Sequence, residues 1–165
     1  MTLLRRLNNG IRIVMEEMPT YRSVSIGVWV RVGSMYENTA NNGMAHVIEH
    51  MLFKGTSRRT AADIANEMTA IGGNMDAFTY KDCTCYYAKT LDIYAEQALD
   101  ILGDMLCNSL FDEKELKKEL GVILEEIDMY EDSPEDLVHE HLQMAVWENH
   151  PLGYLISGEK PIVSG

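Results

Sequence analysis

Apolar and polar positions recur along this chain with two different periods, and the switches between them mark its elements. Residues 3–7 and 11–15 are short apolar-rich runs on either side of Asn8-Asn9-Gly10, which predicts a hairpin. Residues 23–32 (SVSIGVWVRV) are rich in valine and alternate small or apolar with apolar side chains, so a third, well-buried strand is expected. From Met44 the period turns helical. At 100° per residue Met44, Val47, Ile48, Met51 and Leu52 form one apolar stripe, with His46, Glu49, His50 and Phe53 on the opposite side. Thr60 with Asp63 makes a capping box for a second helix that ends near Gly72-Gly73. Strands are then expected over 74–80 and 83–90, the second alternating through Cys83, Cys85 and Tyr87.

The remainder reads as mostly helical. Residues 91–107 carry apolar side chains at three- and four-residue steps. Asp112 with Glu115 makes another capping box, opening a helix whose stripe is Leu116, Leu120, Ile123, Leu124 and Ile127. Ser133-Pro134 starts a third, with proline at the first helical position, running to about Trp147. Hairpins separated by helical runs indicate an α+β fold, an antiparallel sheet with helices packed on it. No internal repeat is visible.

Composition narrows the function classes. A chain of 165 residues suits one domain with a sizeable core, here 1–165. Its 14 basic and 26 acidic residues give a net charge of −12, and no basic run is longer than a pair such as Arg58-Arg59. Nucleic acid is therefore an unsuitable partner. No apolar run is long enough to span a bilayer, and no secretory signal follows Met1, so a cytoplasmic location is expected. Cys83, Cys85 and Cys107 are an odd number without a C-x-x-C pair, which favours three buried free thiols over a metal site.

The chemistry lies in His46-Val47-Ile48-Glu49-His50. Residues four apart lie one above the other on a helix, so both imidazoles can address one ion. Glu49 falls about 60° from His46 and about 100° from His50 on the wheel, beside the pair and placed to take a proton from water. A helix side with His and Glu also suits plain solvent exposure. A catalytic zinc takes three protein ligands, so a third must come from elsewhere. On the 112–132 helix, Glu119 and Glu126 are seven residues apart, nearly eclipsed and wedged between the apolar stripe and Val122. Carboxylates so placed need partners, whereas Glu113, Glu115 and Glu125 suit a solvated face shared with Lys114, Lys117 and Lys118. The wheel leaves both Glu119 and Glu126 open as the third ligand. His139, His141 and His150 read as surface or packing residues.

With these residues in place, the chain resembles the insulinase/pitrilysin family of zinc peptidases, near its bacterial members related to the mitochondrial processing peptidase β-subunit. The likeness extends from the pentapeptide to the flanking Asn42-Gly43-Met44-Ala45 and Met51-Leu52-Phe53-Lys54-Gly55-Thr56. It continues through Gly72-Gly73, Ala77-Phe78-Thr79, Tyr86-Tyr87-Ala88, the Glu119–Glu126 helix and Pro151-Leu152-Gly153. The resemblance implies one zinc ion held by His46, His50 and Glu126, with Glu49 as general base and Glu119 supporting the site behind a ligand. It implies an extended peptide or unfolded polypeptide substrate, presequence-like segments included, added as a strand along Asp76-Ala77-Phe78-Thr79. The family usually has asparagine where this chain has Asp76, and an anion there would favour basic residues near the scissile bond.

Family members are more than twice this length, with a related second half that closes over the site. The chain is thus expected to be the N-terminal zinc-binding part of a bacterial endopeptidase, with its C-terminal half as a partner. Two rival readings differ in class: a non-catalytic processing-peptidase-like subunit, or a zinc-binding fragment inactive without that half. An exposed sheet edge would also invite self-pairing into a homodimer.

Overall fold

The computed structural model describes residues 2–164. β1 (Thr2–Arg6) and β2 (Arg12–Glu16) form the hairpin expected from Asn8-Asn9-Gly10, with Gly10 in the left-handed region at φ 92°. This pair makes a two-stranded sheet of its own, and Leu4 and Val14 stand in solvent. The main sheet has β3 (Ser23–Val30), β4 (Asn74–Thr79) and β5 (Thr84–Leu91) in the order β3-β5-β4. Both pairings are antiparallel, in registers that set Val30 and Thr79 opposite Thr84 on its two sides. β4 is therefore an outer strand, and its second edge has no partner strand among the described residues.

Among the described residues, five α-helices follow the expected punctuation: α1 (Met44–Leu52), α2 (Ala61–Ala70), α3 (Ala95–Asn108), α4 (Glu113–Glu131) and α5 (Pro134–Val146); a short sixth, α6 (Lys160–Val163), has no counterpart in the expected pattern. Thr60 and Asp63 close their capping box reciprocally at the start of α2. At α4 only half of the second box forms: Asp112 accepts from the Lys114 and Glu115 backbones, while the Glu115 side chain turns to Lys118. One core cluster joins Tyr86 and Ala88 of β5 to Ile64 and Met68 of α2, Ile101, Leu102 and Met105 of α3, and Leu52 of α1. A second joins Val47 and Met51 of α1 to Ile123 and Ile127 of α4 and Val163 of α6. The result is an α+β molecule with an antiparallel sheet, as the pattern indicates.

Three expectations need correction. β3 is half-exposed rather than well buried, because only its Val24, Ile26, Val28 and Val30 side faces the helices. Trp29, on the other face, is 63 % exposed and meets Phe78 edge-on with ring centres 5.5 Å apart. The apolar stripe of α1 is also displaced: Met44 and Ile48 reach solvent, while Ala45 and His46 are buried. A helix wedged between two clusters buries nearly all round, so a single-stripe wheel misplaces its wet side. Finally, only Cys85 of the three free thiols is buried. Cys83 is half-buried in the turn before β5, and Cys107 is exposed near the end of α3.

Candidate metal centre

α1 and α4 cross through Val47, Met51, Ile123 and Ile127, and this packing sets the predicted polar residues of both helices face to face. His46 Nε2 and His50 Nε2 stand 3.3 Å apart. Glu126 Oε2 lies 3.8 Å from the first and 3.5 Å from the second. These three form the one His/Cys/Asp/Glu group able to share a metal ion among the described residues, so no cysteine cluster competes with them.

The spacing can be tested against an ion. Tetrahedral zinc at about 2.0–2.1 Å from nitrogen and oxygen holds its ligand atoms about 3.3–3.4 Å from one another. The observed separations sit at or slightly above that value, so the residues fit zinc. Burial, followed by the neighbouring His50, lowers the pKa of His46 and so favours the neutral imidazole whose lone pair a cation requires. Its Nδ1 is buried without a hydrogen-bond partner. The tautomer that frees Nε2 for a cation leaves that N–H unpaired, at a cost of about 1–3 kcal/mol.

Glu119 stands behind His50. Its Oε2 accepts from His50 Nδ1 at 3.1 Å, which fixes the tautomer that turns the Nε2 lone pair toward Glu126. Its Oε1 pairs with Lys54 Nζ at 2.5 Å. Burial alone would raise the Glu119 pKa, but the hydrogen bonds from Lys54 and His50 outweigh it and keep the carboxyl below its ordinary value. The wheel placed Glu119 and Glu126 alike; depth separates them. Glu119 is buried against the helix pair, and Glu126 reaches the open side beside the Tyr130 phenol.

Glu49 is half-buried between α1 and β4, and the Thr79 hydroxyl donates to its Oε2. Thr79 Oγ1 in turn lies 3.3 Å from the Thr84 hydroxyl, which is bound to the Val32 carbonyl. Burial is the largest influence on Glu49 and raises its pKa, with the charges of Glu126 and Asp76 adding to the rise. Glu49 is thus moved toward the range where a carboxylate exchanges protons near neutral pH. Sequence alone assigned Thr79 only to the substrate strand. A hydroxyl ending an edge strand opposite Glu49 was the available signal.

The rest of the predicted strand lies beside this site. Asp76 is exposed on the outer strand β4, its Oδ1 accepting from the Ala77 backbone, and its Oδ2 lies 3.4 Å from the Tyr87 hydroxyl. Ala77 faces the core, whereas Phe78 joins the aromatic surface with Trp29 and Tyr80. Past the end of β4, a cavity of about 480 Å³ is lined by Lys81, Tyr130, Asp136, His139 and Glu140, among others. Lys81 Nζ donates there to the Tyr154 carbonyl. His141 is exposed, and His150 accepts from the Leu152 backbone in the turn over Pro151–Gly153. Neither approaches the α1–α4 cluster.

The fold thus carries a candidate metal site between α1 and α4, and comparison with known proteins places the chain in a family. The insulinase family model (peptidase family M16) matches residues 12–160, and the chain belongs to that family. It is 56 % identical over 150 residues to the uncharacterized zinc protease YmxG of Bacillus subtilis, covering 91 % of this chain and 37 % of that protein. A probable mitochondrial-processing peptidase subunit beta of Arabidopsis thaliana is 41 % identical over 157 residues, covering 95 % of this chain and 30 % of that one. Among solved structures, a protease from Helicobacter pylori superposes with a TM-score of 0.95 at 23 % identity, over all of this chain and 40 % of the other, a likeness of fold. The chain spans about 30–40 % of the length of these relatives. No helix among the described residues is long and apolar enough to cross a membrane.

Proposed function

We propose that the protein is the zinc-binding part of an endopeptidase that hydrolyses extended peptides, presequence-like segments included. The observation that carries this reading is the convergence of His46 Nε2, His50 Nε2 and Glu126 Oε2, each 3.3–3.8 Å from the others. A zinc ion there would supply Lewis acidity toward a water and a peptide carbonyl. His46, His50 and Glu126 would hold it, while Glu119 and Lys54 keep the His50 ring oriented.

Glu49 takes a proton at its carboxylate and returns it to the departing amine, its raised pKa suiting both transfers. Thr79 fixes which carboxylate oxygen faces the site. The free edge of β4 at Asp76-Ala77-Phe78-Thr79 accepts the peptide backbone as an added strand, with little demand on sequence. Location in the bacterial cytoplasm belongs to the same proposal. Because the chain spans only part of its relatives, the remaining polypeptide is its partner in turnover. A zinc-loaded chain with little activity of its own is the second reading that this coverage favours.

The test measures zinc content and cleavage of an unstructured peptide by the chain, with and without the C-terminal remainder of the protein, and by Glu49→Gln in both settings. One zinc per chain in both forms, with cleavage by the assembled wild type and an approximately 10²–10⁴-fold loss in Glu49→Gln, is expected. Cleavage undiminished by Glu49→Gln would remove the mechanism.

A further inference from the structure

Glu37 belongs to no motif that marks the site, yet the structure builds the start of the histidine helix around it. It is 9 % exposed, and both of its oxygens are engaged. Oε2 accepts from Gly43 N at 2.8 Å and Asn42 Nδ2 at 3.0 Å, and Oε1 accepts from Ala45 N at 2.6 Å. Gly43 caps α1 in the left-handed conformation, φ 95°, and offers no side chain. N–H groups at the helix start that would otherwise be orphaned are thus satisfied by a carboxylate delivered from a loop.

His46 is the third residue of α1, inside the turn where a helix carries positive partial charge. A cation held by His46 is disfavoured by that end unless an anion offsets it. Glu37 supplies the anion. Its place is fixed from two sides. The turn over Ser34–Tyr36 is tied to the β4–β5 hairpin by Met35 N donating to Lys81 O at 2.8 Å. Asn42 Nδ2 also donates to Leu155 O at 2.8 Å. A Cβ on Gly43 would stand 2.7 Å from Ser157 O, so the helix start and the 155–158 segment approach more closely than any other residue there would permit.

We propose that Glu37 is a positioning residue for the metal site: its buried carboxylate neutralises the start of α1 and sets its first turn, so that His46 meets His50 and Glu126 with high affinity for a divalent cation. The inference rests on the zinc reading above. Glu37 acts through the helix and is not itself a ligand.

The test is zinc affinity, by competition with a fluorescent chelator at neutral pH, together with melting of the metal-free chain. Wild type is compared with Glu37→Gln, Glu37→Asp and Asp104→Asn, the last altering a buried carboxylate away from the site. Glu37→Gln should bind zinc about tenfold more weakly, and Glu37→Asp, which keeps the charge, should stay within about threefold of wild type. Asp104→Asn should lower the melting temperature without moving zinc affinity. Affinity within about twofold of wild type in Glu37→Gln, or an equal loss in Asp104→Asn, overturns the inference. If Glu37→Gln does not fold, Glu37→Asp decides: a loss of about tenfold or more overturns it. Wild type that takes up no zinc defeats the zinc reading as well, whereas zinc-binding wild type with an unchanged Glu37→Gln defeats this inference alone.

Discussion

Two polar clusters in this molecule are built around a buried carboxylate, and they end in opposite states. Around Asp104, on α3, every neighbour completes a pair. Thr56 Oγ1 and Arg59 Nη1 donate to its Oδ2 at 2.7 and 2.8 Å, and Asn108 Nδ2 donates to Oδ1 at 2.8 Å. Arg59 also reaches Asp100 at 2.6 Å and Glu67 at 3.0 Å, so each of its three guanidinium nitrogens meets a carboxylate. Around Glu119, on α4, Lys54 and one nitrogen of His50 complete the carboxylate. Beyond His50, however, two ring nitrogens and a Glu126 oxygen converge with the spacing of a metal site. A network of matched donors and acceptors locks parts together, whereas a converging set of metal-ligating groups is arranged for something added. A buried carboxylate is common to both clusters; the converging imidazoles and Glu126 at one end distinguish them.

The largest expected break in this comparison is Arg59→Met. It removes the nearer of the two cations paired with buried Asp104, leaving Arg58 Nε at 3.6 Å, and should cost about 3 kcal/mol of stability, read by urea unfolding of the metal-free chain. Zinc affinity of the folded fraction should not change. Loss of zinc binding in step with stability would mean that the two clusters are one unit.

Next comes Glu119→Gln, which weakens the hold on His50 while leaving the three converging atoms in place. Zinc affinity should fall about 10- to 100-fold by chelator competition. Unchanged affinity would reduce Glu119 to the role Asp104 plays, a partner in packing only.

Acid gives the smallest and most selective effect. Burial acts to raise the Asp104 pKa, but hydrogen bonds from Thr56, Asn108 and Arg59 prevail and hold it at about 2. An unfolded aspartate titrates near about 3.9, so this folded-state value is depressed. The stability it contributes is complete above about pH 4 and is lost as pH falls toward about 2. The stability gap between wild type and Asp104→Asn should therefore be level from pH 5 to 7 and shrink below about pH 4. A gap that widens on acidification would show the network drawing on some other group.

Local signals made much of this legible. Thr60 and Asp63 announce a reciprocal cap in four residues, and the spacing of Leu116, Leu120, Ile123 and Ile127 gives the buried face of α4. The histidine pair and the seven-residue spacing of Glu119 and Glu126 each need one helix to read. What one helix cannot supply is the identity of its neighbours. Ile48 looks as apolar as Val47, but α4 covers only the latter. The sheet face bearing Trp29 looks buried because tryptophan is apolar. The engagement of Glu37 with the Gly43 and Ala45 backbones has no side-chain partner motif to betray it. Depth also distinguished Glu119 from Glu126, and depth comes only from packing α1 on α4.

The most direct measurement is zinc stoichiometry of the metal-stripped and reloaded chain, wild type against Glu126→Gln and the His46→Ala/His50→Ala double variant. One tightly held zinc per wild-type chain, weakened by about 100-fold or more in Glu126→Gln and absent from the double variant, is the predicted result. Zinc retained undiminished when both histidines are gone, or no zinc in wild type, would contradict the claim that α1 and α4 converge to hold a metal.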